Sequence, residues 1–141
     1  MEKPVIEVII PTYRPDSQVI ELVRRLKKQT VPPDRIHMID TRSGSFPEEL
    51  EEDPGIKLTR IEPEHFDHGG TRAMGADASS AEILIFMTQD AMPANPNLIE
   101  NLVKALRQEK VGAAYARQLP NAECSFVERY TRAFNYPDTS L

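Results

Sequence analysis

Seven consecutive residues, Phe66 to Arg72 (FDHGGTR), set a carboxylate, an imidazole, two glycines and a guanidinium side by side, ahead of a segment with helical character. Two chemistries are open to them. His65, Asp67 and His68 offer imidazole and carboxylate ligands that suit zinc, iron or manganese, although no HExxH-like pattern accompanies them and further ligands would have to come from distant segments. Gly69, Gly70 and Arg72 instead suit an anion. Glycines let a phosphate approach the backbone, a guanidinium pairs with two of its oxygens, and the free N–H groups of a helix start favour negative charge. Neither chemistry is required: Asp67 and His68 could simply shape the chain through hydrogen bonds, and Arg72 could be a surface side chain neutralised by Asp67 or Asp77.

Two further carboxylates stand where strands should end. Asp90 follows the most apolar run, EILIFM (Glu82 to Met87). A carboxylate emerging there can hold a hard divalent cation, magnesium or manganese, which bridges and neutralises diphosphate oxygens. The alternative is a turn-forming Asp held by local backbone N–H groups. Asp40 closes IHMID and could accept from a base N–H or cap a turn.

The elements that must position these groups follow from hydrophobic period and punctuation. VIEVII (Val5 to Ile10), ended by Pro11, reads as a mostly buried strand. Asp16 or Ser17 caps a helix whose Val19, Leu22, Val23 and Leu26 share one face, and Val31 to Pro33 closes it. Strands are expected at Ile36 to Asp40, Ile56 to Ile61, Glu82 to Met87 and Val111 to Arg117, with helical character over Gly70 to Ser80. Asn95-Pro96 reads as a cap with proline at the first helical position, before an amphipathic helix carrying Leu98, Ile99, Leu102, Val103 and Leu106. Strands alternating with helices predict an α/β fold, a mainly parallel open sheet flanked by helices. In such sheets ligands bind beyond the carboxyl ends of the strands, which singles out the loops PTYRPD, DTRSGS and TQDAMP.

Composition narrows the function classes. With 141 residues and 40% hydrophobic content, one packed domain over 1–141 is expected. A net charge of -5, with 17 basic residues spread along the chain, provides no stripe for tracking a nucleic-acid backbone. Cys124 is the single cysteine, so no internal disulfide forms and a reducing cytoplasm fits. No run approaches the ~20 apolar residues of a membrane span, which leaves peripheral attachment at the inner face of a membrane open. PTYRPD lacks the glycines of a G-x-G-x-x-G turn, and GGTRAMG lacks the Gly-Lys-Ser/Thr of a P-loop, so redox dinucleotides and P-loop hydrolysis are excluded.

Taken together, VIIPTYRPD, MIDTRSGS, EHFDHGGTRAMG and ILIFMTQDAMP resemble the amino-terminal half of family 2 inverting glycosyltransferases of the GT-A fold, a nucleotide-binding, Rossmann-like architecture. FDHGGTR and TQDA look most like the rhamnosyltransferase-type branch. The resemblance implies that Thr12, Tyr13 and Arg14 touch the nucleotide, that Asp40 accepts from the pyrimidine base, and that Arg72 lies near base and diphosphate. Ala73 replaces the asparagine usual beside that arginine. Asp90 matches the second acid of the family's Asp-x-Asp motif, with Thr88 in place of the first. FDHGGTR becomes a loop closing over a sugar diphosphate, with Gly69 and Gly70 for approach, Arg72 for charge, and Asp67 and His68 to hold shape or touch the sugar.

The implied function is a donor domain that binds a nucleoside-diphosphate sugar, dTDP-rhamnose by resemblance, for inverting transfer to a hydroxyl of a glycan or lipid-linked acceptor in polysaccharide biosynthesis. In this family the general base lies past the point where this chain stops, and Glu123 and Glu128 read as helix-face charges. The chain is therefore expected to be a fragment, inactive alone. Two alternatives stay open: a non-catalytic nucleotide-sugar-binding module, and a metallohydrolase built on His65, Asp67 and His68.

Overall fold

The computed structural model describes residues 3–116. Two compact units divide the chain, Met1–Glu100 and Asn101–Leu141, and the sheet belongs to the first. Its elements run β1 (Ile6–Tyr13), α1 (Ser17–Lys27), β2 (Arg35–Thr41), α2 (Glu48–Glu51), β3 (Ile56–Ile61), a 3-10 turn (Pro63–His65), α3 (His68–Asp77), β4 (Ile83–Phe86) and α4 (Leu98–Leu106).

Local chemistry sets most boundaries. The Asp16 side chain accepts from the Gln18 N–H and caps α1, which buries Val19, Leu22, Val23 and Leu26 and ends with Arg24, Arg25 and Lys27, cations favoured by the carboxyl end of the helix dipole. The helix stops before Pro32 and Pro33, which could not continue it. Asn95 does not cap α4 as expected. Its side chain accepts from the Asn97 N–H at 2.9 Å in a turn that precedes the helix, and α4 begins only at Leu98, so Pro96 lies outside it.

All strand pairs are parallel, in the order β3-β2-β1-β4. Ile6, Val8, Ile10 and Met38 line one face of the sheet, and Ile9 and Ile39 the other; all are fully buried. Glu7 shares the second face and is also buried, its Oε1 3.6 Å from Nη1 of Arg35, its register partner on β2. The expected strand at Val111 to Arg117 is not formed: residues 111–116 make no ladder, and Arg117 lies outside the described residues. Gly112, Ala113 and Ala114 give that stretch little preference for the extended, half-buried state. Cys124, Glu123 and Glu128 also lie outside the described residues.

From β1 the chain steps to β2 and β3, then returns past β1 to β4. Right-handed crossovers put helices of opposite winding on opposite faces, so α1 covers one face and α3 the other. Gly75 shows where α3 lands: a Cβ there would sit 2.9 Å from Cγ2 of Ile9 and 3.0 Å from Cδ1 of Ile39. The helix backbone rests directly on the sheet because glycine leaves no side chain between them. Gly75→Val should therefore lower stability by ~2 kcal/mol through overpacking, read as a lower urea midpoint at unchanged m-value. An unchanged midpoint would show that α3 does not approach this closely.

Candidate functional site

The strand order reverses between β1 and β4, and in open parallel sheets the ligand crevice is expected beyond the carboxyl ends of the strands at such a reversal. Thr12 and Asp40 are register partners at the ends of β1 and β2, and the Thr12 hydroxyl donates to Asp40 Oδ1 at 2.8 Å. Asp40 is 2% exposed. Burial pushes its pKa above the ordinary carboxylate value, against the Thr12 hydrogen bond and the charges of Arg60 and Arg42, which lower it. Those two arginines are engaged at their own surfaces, Arg42 with Glu62 at 2.8 Å and Arg60 with Glu51 at 2.9 Å.

β1 runs three residues further than the sequence suggests, through Pro11 to Tyr13. Tyr13 and Arg14 are exposed at its end. Arg14 adopts a left-handed conformation with φ 47°, uncommon for a residue with a side chain, and its guanidinium lies 5.0 Å from the centre of the Tyr13 ring. Across the crevice, Thr88 donates to Asp90 Oδ1 at 2.8 Å and Asp90 is exposed. An exposed carboxylate of this kind is the sort of group that would hold a hard divalent cation together with phosphate oxygens and water.

Phe66 to Arg72 is not the expected loop. Asp67 is the N-cap of α3, accepting from the Gly70 N–H at 2.6 Å, and His68, Gly69, Gly70 and Arg72 belong to its first turns. A Cβ on Gly70 would meet Asp67 Oδ2 at 2.7 Å, so glycine is what permits the tight cap. The His68 ring meets Phe66 edge-on at 4.9 Å, and Arg72 Nη1 donates to the His68 carbonyl at 2.8 Å. A capped helix start replaces the loop because Asp67 satisfies an amide that would otherwise be orphaned. The metallohydrolase alternative gains no support from this geometry: among the described residues no group of three His, Cys, Asp or Glu side chains could hold a metal ion, and Asp67 is engaged in its cap.

Since Gly75 lies over Ile9 and Ile39 in mid-strand and α3 follows the carboxyl end of β3, its first turns point back towards that edge, ~1.5 Å per residue. Thr12, Tyr13, Arg14, Asp40 and Asp90 thus share one edge of the sheet with the start of α3. The structure adds Gln89, which the sequence left unremarked. Its side-chain amide accepts from the Tyr13 N–H at 2.7 Å and donates to the Tyr13 carbonyl at 3.0 Å. Nothing local announces this contact, since the partners are 76 residues apart.

Asp40 yields a signed expectation. Its folded-state pKa is raised, so its contribution favours folding at pH below the unfolded value and is lost as pH rises through the folded value. Asp40→Asn, which keeps an acceptor for Thr12, should raise the thermal midpoint at pH 7, with the advantage over wild type vanishing as pH falls below 4. A midpoint lowered at pH 7 would contradict the burial cost.

Known proteins are similar to this chain in sequence and in fold. Residues 7–140 match Glycosyl transferase family 2. The chain is 35% identical over 138 residues to the O-antigen chain rhamnosyltransferase RfbN of Salmonella typhimurium, covering 96% of this chain and 44% of that protein. It is 30% identical over 140 residues to the O-antigen chain rhamnosyltransferase WbaN of Salmonella anatum, covering 98% and 44%. The chain thus spans less than half the length of these relatives. In fold it is similar to the mannosyltransferase PcManGT of Pyrobaculum calidifontis in complex with GDP-Man and Mn2+, with TM-score 0.63 and 22% identity over 77% of this chain and 34% of that one. It is likewise similar to S. aureus TarS 1-349 in complex with UDP-GlcNAc, with TM-score 0.59 and 20% identity over 72% and 31%. A parallel sheet wound in both directions from β1, with these motifs in order along it, belongs to a member of glycosyl transferase family 2 with the GT-A fold.

Proposed function

We propose that this chain is the donor-binding part of an inverting glycosyltransferase, which takes a sugar from a nucleoside diphosphate, dTDP-rhamnose as the leading candidate, and passes it to a hydroxyl of a glycan or lipid-linked acceptor. The observation that carries the proposal is Asp40, a carboxylate buried at the carboxyl edge beside the crevice. Thr12 occupies its Oδ1, which leaves Oδ2 to meet a donor such as a pyrimidine N–H. Both curated relatives are named as rhamnosyltransferases, which supports the choice of sugar.

The remaining groups divide the labour by chemistry. Tyr13 and Arg14 flank the nucleotide from the β1 loop, the Arg14 guanidinium already held against an aromatic face. Gly69 leaves open space beside the first turn of α3, since a Cβ there would meet nothing within 4 Å, and the dipole and free amides of that turn favour a phosphate. Arg72 adds positive charge. Asp67 and His68 hold the turn through its cap and ring contact. Asp90 would hold a magnesium or manganese ion, whose charge stabilises the departing diphosphate. In the transfer a general base takes the proton of the acceptor hydroxyl as its oxygen bonds to the anomeric carbon from the side opposite the diphosphate, the carbon–oxygen bond to the diphosphate breaks, and its electron pair leaves with the nucleoside diphosphate.

Calorimetry of thymidine diphosphate with manganese chloride tests this reading. Wild type should bind only with manganese present. Arg72→Ala and Asp90→Asn should each weaken binding about tenfold or more, as for loss of a charge-assisted contact. Equal affinity in wild type and both variants would reject the assignment, as would manganese-independent binding.

A further inference from the structure

The Gln89 side chain does something specific at the crevice. In β1 the residues whose peptide groups face β4 alternate, and Ile9 is one of them: its carbonyl accepts from the Met87 N–H at 3.0 Å. The next on that side is Pro11, which has no N–H to offer. The backbone ladder to β4 lapses there, and β4 itself ends at Phe86. The residue after Pro11 on the same side is Tyr13, and both its N–H and its carbonyl are taken by the Gln89 amide, at 2.7 and 3.0 Å. A side-chain amide has replaced a backbone peptide, carrying the pairing two residues beyond the proline and across the mouth of the crevice.

On either side of this contact lie residues that need holding. Arg14, immediately after Tyr13, sits at φ 47°, a conformation that persists in non-glycine residues when surrounding contacts impose it. Asp90, immediately after Gln89, is fastened only by Thr88 among the described residues. The geometry points to Gln89 as a positioning residue for donor binding, whose amide pins Tyr13 so that Arg14 and Asp90, on opposite banks of the crevice, are presented to one diphosphate and its cation. This inference rests on the nucleotide-sugar reading above.

The test uses the whole chain as wild type, Gln89→Met and Gln89→Glu. Methionine keeps the length and packing and loses both hydrogen bonds; glutamate keeps the acceptor for the Tyr13 N–H and sets a carboxylate against the Tyr13 carbonyl. Amide hydrogen exchange at Tyr13 reads the contact without any ligand. Exchange should speed up at least about tenfold in Gln89→Met, with Gln89→Glu intermediate. Affinity for thymidine diphosphate with manganese should fall about tenfold in Gln89→Met, while the thermal midpoint without ligand stays within a few degrees of wild type, a separation that a purely structural role would not produce. Unchanged exchange at Tyr13 would overturn the contact. Faster exchange with unchanged affinity would overturn the positioning role alone. Wild type that binds no nucleotide would overturn the proposed function, and the positioning role with it.

Discussion

Everything at the carboxyl edge depends on β1 having a parallel neighbour on each side while the chain winds away from it in two directions. Parallel strands need crossovers, and crossovers of one hand place α1 and α3 on opposite faces of the sheet. The strand order therefore reverses between β1 and β4, which sets the ends of these two adjacent strands at the point where sheets of this kind bind ligands. The fully buried Ile6, Val8, Ile9 and Ile10 keep β1 central, so residues at its end inherit a rigid platform.

Around this crevice the molecule accepts several local costs. Asp40 carries a carboxylate out of water, with burial dominating its raised pKa. Arg14 sits in the left-handed region. Gly70 and Gly75 surrender helix propensity so that Asp67 can cap closely and α3 can touch Ile9 and Ile39. Such features cluster where geometry serves a ligand and are sustained by the packing beneath them. The opposite half of the sheet has its own tension in Glu7, buried with Arg35 at 3.6 Å and no hydrogen bond to either oxygen.

Much of this was legible in one dimension because the causes are short-ranged. β-branched runs marked β1 to β4, the Asp16 cap and the Val19 to Leu26 spacing marked α1, and a carboxylate closing a strand pointed to the sheet edge at Asp40. Where short-range rules competed, the longer-range contact won. Pro11 looked like a stop, yet it is accommodated because its missing N–H faces a gap in the ladder. The resemblance made FDHGGTR a closing loop although helical character was expected from Gly70, and the Asp67 cap starts the helix two residues earlier, at His68. The apolar stretch after Lys110 looked like a strand, but 111–116 pair with no strand.

Residue types and their order were enough to establish an α/β chain, its helix-and-strand alternation and its family likeness, because propensity, capping and hydrophobic period act over a few neighbours. Three-dimensional packing alone decided that Thr12 would meet Asp40, that Gln89 would reach Tyr13, and that the start of α3 would face the same edge. Those contacts join residues 28 and 76 positions apart, and strand register, which aligns them, is a property of the assembled sheet that no single segment encodes.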